Sequence, residues 1–260
     1  MSYDGATTKI MFQREVGSPN VLFKIQGSIR AEAMNIVCLL NEVDLYSTVI
    51  WFFQCAEVIE RLGIIRRIVQ CRAKLLWPLA DREFVTHMSG IDGLDEDDCI
   101  VLLTVQDMST EGGYAPSSQS KRREAVRANV DLTFFIQPVE PTCTQLTIIA
   151  KIDFKLPQVP NVFMHWFGKA FGRFVVHAIE VRANDLPESH RKRLGQDPVY
   201  SWFLPRIEQF WLSKGKLEEF RQGHVDHGSR VSEELDVHHE PPGLGKRIML
   251  SLFRGTADTK

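Results

Sequence analysis

The chain has little of what most enzymes and nucleic-acid-binding proteins carry. Its formal net charge is only -2, so no overall positive charge would attract nucleic acid, and we expect no nucleic-acid partner. It contains no Gly-x-Ser-x-Gly, no His-Glu-x-x-His and no glycine-rich phosphate loop. The signatures of common hydrolases, metalloproteases and nucleotide-binding enzymes are therefore missing. We expect no catalytic residue and no enzymatic activity.

The chain also lacks the segments that would direct it out of the cell or into a membrane. The five cysteines are dispersed, form no Cys-x-x-Cys and lie in apolar runs, which predicts free thiols in a reducing compartment. No apolar run reaches the 18 or so residues of a membrane span, and no signal peptide is recognisable. These features predict a cytoplasmic protein that contacts membranes at most peripherally.

Clustered metal ligands are scarce as well. His224 and His227, and the pair His238-His239, lie in a polar stretch that has neither cysteines nor suitable carboxylates. We therefore expect no metal site and no cofactor.

What the chain has in quantity is alternation between apolar and polar residues. This pattern predicts strands over 8–15, 21–30, 64–76, 82–90, 99–108, 128–137 and 146–156. The last two alternate most cleanly, as in an antiparallel sheet with one buried face. Helical spacing predicts helices over 31–43, 46–62, 162–183 and about 199–221, and the acidic segment 90–98 is interpreted as a loop.

The predicted helix over 162–183 carries one broad apolar stripe. Its members are mostly aromatic: Phe163, Trp166, Phe167, Ala170, Phe171, Phe174 and Ala178. Because a curved sheet with one apolar face needs a cover, this helix is the natural candidate to lie over it. His177 falls at the border of the stripe.

The segment 77–85, W-P-L-A-D-R-E-F-V, joins two predicted strands through a Trp-Pro turn. It resembles the W-P-x-x-x-R-D-F-V motif of the START (steroidogenic acute regulatory protein-related lipid transfer) family. Val126-Arg127, Gln137-Pro138 and Ile152-Asp153 also match habits of that family.

The resemblance implies an α+β helix-grip fold. In this fold a curved antiparallel β-sheet wraps around a long C-terminal helix and encloses an internal apolar cavity. It implies a lipid-binding domain over 8–185, with helix 161–183 and loop 90–98 as a lid. We expect residues 186–221 to form a helical extension packed on the domain, and 222–260 to be a polar, disordered tail.

One position departs from the pattern of the sterol-binding members. These often carry a buried arginine, paired with an acidic residue, six residues beyond the arginine of the motif. That position is Met88 here, and the preceding strand offers no acidic partner. The departure predicts a more uniformly apolar cavity and disfavours sterols.

The predicted ligand-binding residues lie on the apolar face of the sheet or on the helix. They are Phe84, Thr86, Met88, Val130, Leu132, Phe134, Ile148, Ala150, Ile152, Phe163, Phe167, Ala170, Phe171, Phe174 and His177. The same stripes would also fit a solid core. For His177, a buried histidine satisfied by a backbone carbonyl is the more usual interpretation.

The sequence therefore favours a non-enzymatic, monomeric carrier. It would bind a lipid or another hydrophobic small molecule, and would transfer or sense it during transient contacts with membranes. Two alternatives stay open at this point. One is a helix-grip enzyme such as an aromatase/cyclase, and the other is a ligand-regulated protein-interaction module.

Overall fold

A computed structural model describes residues 2–4, 8–14, 17–75, 80–106, 125–155 and 161–222, with the side chains of 2–4 and 161–167 excepted. The predicted tail over 222–260 lies outside these residues, apart from its first position. The described residues up to Phe220 belong to one folding unit with a common core.

The central element is a sheet of ten strands. In chain order they are β1 (Ser2–Asp4), β2 (Thr8–Arg14), β3 (Val21–Ile29), β4 (Phe53–Arg61), β5 (Arg67–Ala73), β6 (Arg82–Gly93), β7 (Cys99–Gln106), β8 (Val126–Arg127), β9 (Asn129–Glu140) and β10 (Cys143–Asp153). Nine of them follow the order β1-β2-β3-β10-β9-β7-β6-β5-β4 with antiparallel pairing, and the short β8 pairs with β6 in parallel. The predicted α+β class and antiparallel sheet are confirmed.

In the part of the chain that the structure describes, the sheet is accompanied by six helices and one 3-10 turn, besides a short helical stretch near residue 220. They are α1 (Ala33–Asn41), the 3-10 turn (Val43–Leu45), α2 (Tyr46–Val49), α3 (Leu94–Asp97), α4 (Asn161–Asn184), α5 (Glu188–Gln196) and α6 (Pro198–Ser213). The short helical stretch begins at residue 217. Within the described ranges, none of the helices combines the length and hydropathy needed to cross a bilayer.

The predicted helix over 46–62 is wrong beyond its first turn. After α2 the chain turns at Trp51 and Phe52 and continues as β4, which pairs with β5. The apolar residues of this segment fit a helical period, but the edge of the sheet offers a complete row of backbone partners. Pairing across the sheet therefore overrides the local pattern.

The predicted acidic loop over 90–98 is wrong as well. β6 continues to Gly93, α3 makes a single turn, and Asp98 adopts a left-handed conformation with φ 51° before β7 begins. The segment is thus a tight connection between paired strands. Leu94 N–H donates to the Asp92 carboxylate at 3.1 Å and fixes the turn.

Helix α4 lies directly on β2 and β3. A Cβ atom built on Gly172 would come within 2.8 Å of the side chain of Ile10, and one on Gly168 within 3.2 Å of the ring of Phe23. These two glycines allow the helix backbone to approach the sheet closely. Gly168 and Phe23 mark the end of the sheet at which β3, β6 and β9 begin, and we call it the open end.

The opposite end of the sheet holds the solid core. There the inward-facing residues of four strands are fully buried, for example Ile29, Ile100, Ile136 and Leu146. They pack against α1, the second half of α4 and the C-terminal helices.

Candidate functional site

At the open end, the inward face of the sheet is no longer part of the continuous core. Two small apolar clusters replace the continuous core. One has Val21, Phe23 and Ala150 as its buried members, and the other has Cys71, Phe84 and Val130. Leu132 and Ile152 pack against both clusters and join them into one surface.

This surface is incompletely covered by the described residues. Leu132 and Ile152 point inward yet stay partly exposed. On the same two strands, Ile136 and Leu146 at the other end are completely buried, with 0% exposure. An inward-facing apolar surface that is left partly open is the arrangement expected of a binding site, because a solid core would close over it.

The predicted ligand-binding residues divide between the two ends. Five of them form the open-end surface: Phe84, Val130, Leu132, Ala150 and Ile152. Met88, Phe134 and Ile148 are instead members of the main core, and Phe171 and Phe174 pack against its edge. Ala170 is partly buried on α4. The side chains of Phe163 and Phe167 lie outside the described residues.

His177 is not a contact in the pocket. Its imidazole is exposed on α4, because one residue earlier Val176 takes the position that faces the core. The prediction of a polar anchor at this position is corrected accordingly.

Thr86 holds an unpaired polar atom on the inward face. The residue lies on β6 between Phe84 at the open end and Met88 in the core, and it is 0% exposed. Its hydroxyl has no hydrogen-bond partner among the described residues. Burying a hydroxyl without a partner costs about 1–3 kcal/mol, so the position is either a site of strain or a site for a ligand atom.

Arg82 brings a positive charge to the rim of the same surface. It lies on the inward side of β6 and is buried, and its guanidinium donates to three backbone carbonyls of the described residues, those of Phe154, Ala80 and Asp81. No carboxylate is bonded to it in the described structure, and desolvation lowers its pKa. A guanidinium held by neutral carbonyls keeps its charge available for an anionic ligand group.

The structure also corrects the expectation of a uniformly apolar interior. Met88 does replace the arginine, but Arg67 is its direct partner on β5 and is only 3% exposed. The guanidinium of Arg67 donates to the side chain of Asn41 on α1. A buried cation is therefore present at this level of the sheet, supplied by the neighbouring strand.

The sequence does indicate that the side chain of Arg67 points inward, although a charged residue is unexpected at an inward position. Arg67 shares its parity with Val69, Cys71 and Ala73, so it must point inward if β5 begins there.

Aromatic rings connect α4 to the turn before β4. The ring centroids of Phe171 and Phe52 lie 5.6 Å apart, and those of Phe174 and Trp51 lie 6.4 Å apart. Phe53 continues the series to Phe84 on β6, at 6.2 Å. We call Trp51, Phe52, Phe53, Phe171 and Phe174 the aromatic latch.

The acidic connection between β6 and β7 does not take part in this latch. Asp92 and Asp95 accept from Arg206 of α6 at 2.7 and 2.6 Å, and Asp98 accepts from Lys214 at 2.8 Å. The predicted lid partner is thus bound to the C-terminal helices, at the end of the sheet away from the open surface. The family resemblance implied a lid role for this segment, but its residues form a tight connection between paired strands.

A buried polar network joins the C-terminal helices to α1. The Tyr200 hydroxyl donates to Glu42 at 2.6 Å, and Asn41 donates to both of these residues. Arg193 of α5 donates to Glu42 at 3.1 Å and to Asp44 at 2.7 Å. Beside this network lies an apolar void of about 20 Å³, lined by residues such as Val37, Ile65 and Phe203. Its volume would accommodate roughly one water molecule, so it is no ligand site.

The candidate site contains no evident catalytic or metal-binding chemistry in its described part. No group of three or more metal-ligating side chains occurs among the described residues. Burial raises the pKa of the inward-facing Cys71 far above its ordinary value, so this thiol stays protonated and unreactive.

Comparison with known proteins finds relatives at the level of structure alone. No family model matches the sequence, and no curated protein matches it. Human STARD10 is structurally similar with a TM-score of 0.61 and 18% identity, over 78% of this chain and 79% of that chain. Human StAR-related lipid transfer protein 5 matches with a TM-score of 0.57 and 13% identity, over 70% of this chain and 85% of that chain.

A third structure, the lipid transfer and protein localization domain of human StarD13, has a TM-score of 0.50 and 21% identity. The match covers 70% of this chain and 86% of that chain. The architecture is therefore that of the helix-grip proteins. More particularly, it is the START fold that the sequence motif predicted.

Proposed function

We propose that the protein binds a lipid or a similar hydrophobic molecule at the open-end surface and carries or senses it as a monomer. The observation that supports this most strongly is the partial exposure of inward-facing Leu132 and Ile152, beside the complete burial of Ile136 and Leu146 on the same strands. Each methylene that a ligand buries there would contribute about 0.8 kcal/mol. The two named lipid transfer proteins of the same fold are consistent with this proposal.

Two polar groups would orient the ligand. Arg82 at the rim suits a phosphate or carboxylate, and the Thr86 hydroxyl suits a single neutral oxygen that enters more deeply. A molecule with an anionic head and an ester or hydroxyl group further along its chain would satisfy both. This arrangement favours an acyl lipid over a pure hydrocarbon.

A carrier explains the described surface better than an enzyme does. Acid–base catalysis requires a titratable group that can gain and lose a proton near the substrate. Among the described residues, the inward-facing ionisable groups near the open-end surface are Arg82 and Cys71, of which the first stays charged and the second stays protonated. We therefore propose a role without chemical turnover.

Access to the surface would require α4 to move away from the turn before β4, which would break the ring contacts of the aromatic latch. The latch joins α4 to the turn before β4 by ring contacts, and such contacts break more readily than a hydrogen-bonded strand pair. Helix α4 remains the proposed lid, and the turn at Trp51 and Phe52 takes the role that was expected of segment 90–98.

Two neighbouring positions on β10 provide a matched test. Ala150 points into the open-end surface, whereas Ile149 is 40% exposed on the other face. Ala150→Trp should block uptake of a fluorescent fatty-acyl lipid, because the indole would fill the surface. Ile149→Trp should bind as the unmodified protein does. Equal uptake by both variants, with both folded by circular dichroism, would refute the assignment.

A further inference from the structure

The two edges of the sheet differ in length. One edge is β1, with 3 residues, and the other is β4, with 9 residues. In the described part of the chain β4 pairs with β5 alone, so one side of its backbone has no strand beside it. The backbone groups along such an edge can accept a further strand, and for this reason proteins usually keep their edge strands short or covered.

A groove lies beside the second half of β4. It has a volume of about 450 Å³ and is lined by residues 57–61 of the strand and by Asp44 and Arg193, which lie outside the sheet. We call it the edge groove, and its volume is in the range of ordinary ligand sites. It is separate from the open-end surface, because Arg61 pairs with Arg67 at the level of Met88 in the main core.

Two charged side chains of the edge groove are available to a ligand. Glu57 and Arg61 are exposed, and neither makes a hydrogen bond or an ion pair among the described residues. Their partners on β5, Gln70 and Arg67, are three residues apart in the sequence. Because side chains alternate between the two faces of a strand, Glu57 and Arg61 therefore face opposite sides of the sheet.

Asp44 offers a further acceptor in the edge groove. Its Oδ2 accepts from Arg193 at 2.7 Å, whereas its Oδ1 is buried and has no hydrogen-bond partner in the described structure. A buried acceptor without a donor is destabilising, and a donor from a ligand would relieve this cost. The other charged groups of the lining are engaged, since Arg193 also donates to Glu42 and Glu60 has interactions of its own.

We propose that β4 binds an extended segment of a partner protein, which is added to the sheet as an antiparallel strand in the edge groove. Main-chain hydrogen bonds to the open edge hold the segment, as in other complexes formed by strand addition. A basic side chain of the segment lies opposite Glu57, and an acidic side chain three residues before it lies toward Arg61. The acidic residue comes first because an antiparallel strand passes Arg61 before it reaches Glu57.

A second copy of this chain would fit the edge poorly. The residues of β4 on the same face as Glu57 are Cys55 and Glu60. Pairing of two β4 strands would therefore bring Glu57 close to further carboxylates and to no cation on that face. Like charges placed opposite each other destabilise a strand pair. The partner is thus a different protein, which agrees with the monomeric state proposed above.

The test uses the full chain and two fluorescein-labelled peptides of identical composition. The matching peptide is Thr-Glu-Thr-Val-Lys-Val-Thr, and in the control peptide the glutamate and the lysine exchange places. Fluorescence anisotropy should show that the matching peptide binds roughly three- to ten-fold more tightly. A matching peptide methylated at every inner backbone nitrogen should not bind, because it cannot donate hydrogen bonds to β4. Equal binding of the three peptides would overturn the proposal.

Charge exchange in the protein locates the binding site. Glu57→Lys should abolish the preference between the two peptides, and the double variant Glu57→Lys/Arg61→Glu should reverse it. Glu96→Lys, at an exposed position in the acidic connection between β6 and β7, should keep the preference of the unmodified protein. A preference that is unchanged in the double variant or lost in Glu96→Lys would contradict the edge groove as the site. Dimers of the peptide-free protein that the peptide dissociates would assign the edge to a second copy and would also overturn the proposal.

Discussion

Phe52 and Phe171 hold the lid helix against the edge of the sheet. Their ring centroids are 5.6 Å apart, with the rings inclined by 41°. One lies on the turn that follows α2, and the other lies on α4. Because a contact between rings breaks more readily than a hydrogen-bonded strand pair, this contact is well suited to open and close.

Phe171→Ala should loosen the latch. We expect it to destabilise the protein by about 2 kcal/mol, since Phe171 is only partly buried, and to accelerate the exchange of bound lipid. Val181→Ala on the exposed side of the same helix should change stability by less than about 0.5 kcal/mol. Chemical denaturation and stopped-flow measurement of lipid release would check both effects. Unchanged release from Phe171→Ala would contradict the latch.

Thr86→Val should stabilise the protein in the absence of ligand. The substitution keeps the shape of the side chain and removes a buried hydroxyl that has no partner, for a gain of about 1 kcal/mol. It should also weaken lipid binding roughly two- to ten-fold, if a ligand oxygen bonds there.

Thr144→Val is the control, and it should change the stability of the protein in the opposite direction. The Thr144 hydroxyl is equally buried but donates to the Ala31 carbonyl at 2.8 Å. Its loss should lower stability by about 1 kcal/mol, measured by thermal melting. A lower melting temperature for Thr86→Val would show that its hydroxyl does have a partner.

Tyr200→Phe should weaken the attachment of α6. Its hydroxyl donates to the fully buried carboxylate of Glu42, and a hydrogen bond to a charged group is worth about 2 kcal/mol. Tyr46→Phe removes a bond to the neutral carbonyl of Leu40 and should cost about 1 kcal/mol. Urea denaturation of the two variants compares them directly, and equal costs would contradict the stronger hydrogen bond to Glu42.

Stability should fall with decreasing pH because of His190. Burial lowers its pKa from 6.5 to about 4, so the unfolded chain binds the additional proton first. This contribution is fully present above about pH 6.5 and is lost progressively toward pH 4. It amounts to at most about 3 kcal/mol.

Substitution of the histidine tests this directly. His190→Gln should flatten the dependence of unfolding free energy on pH between 4 and 6.5. His177→Gln, at an exposed position on α4, should leave the dependence unchanged. Identical slopes for His190→Gln and the unmodified protein would assign the effect to other groups.

Sequence analysis predicted the fold well, whereas its ligand-binding residues stay a prediction, and the structure divides them between the two ends of the sheet. Strict alternation along β9 and β10 fixes which residues face inward, because a strand has only two faces. It cannot tell Ile136 in the solid core from Leu132 at the open end, since that depends on which helix lies above. Local helical spacing likewise could not reveal that β4 completes the edge of the sheet.

The positions of the paired arginine side chains depend even more on contacts between residues far apart in the chain. The buried position of Arg67 is explained by its hydrogen bond to Asn41. The position of Arg206 is explained by its hydrogen bonds to Asp92 and Asp95. In both cases the partners lie on elements that are far apart in the chain. No single-sequence pattern encodes such pairs.

The central claim is that the open-end surface holds a lipid, and native mass spectrometry of the freshly purified protein tests it most directly. We predict a species heavier than the polypeptide by the mass of an acyl lipid, present in Ile149→Trp and absent from Ala150→Trp. A bare polypeptide in all three samples, before and after incubation with lipid vesicles, would contradict the claim.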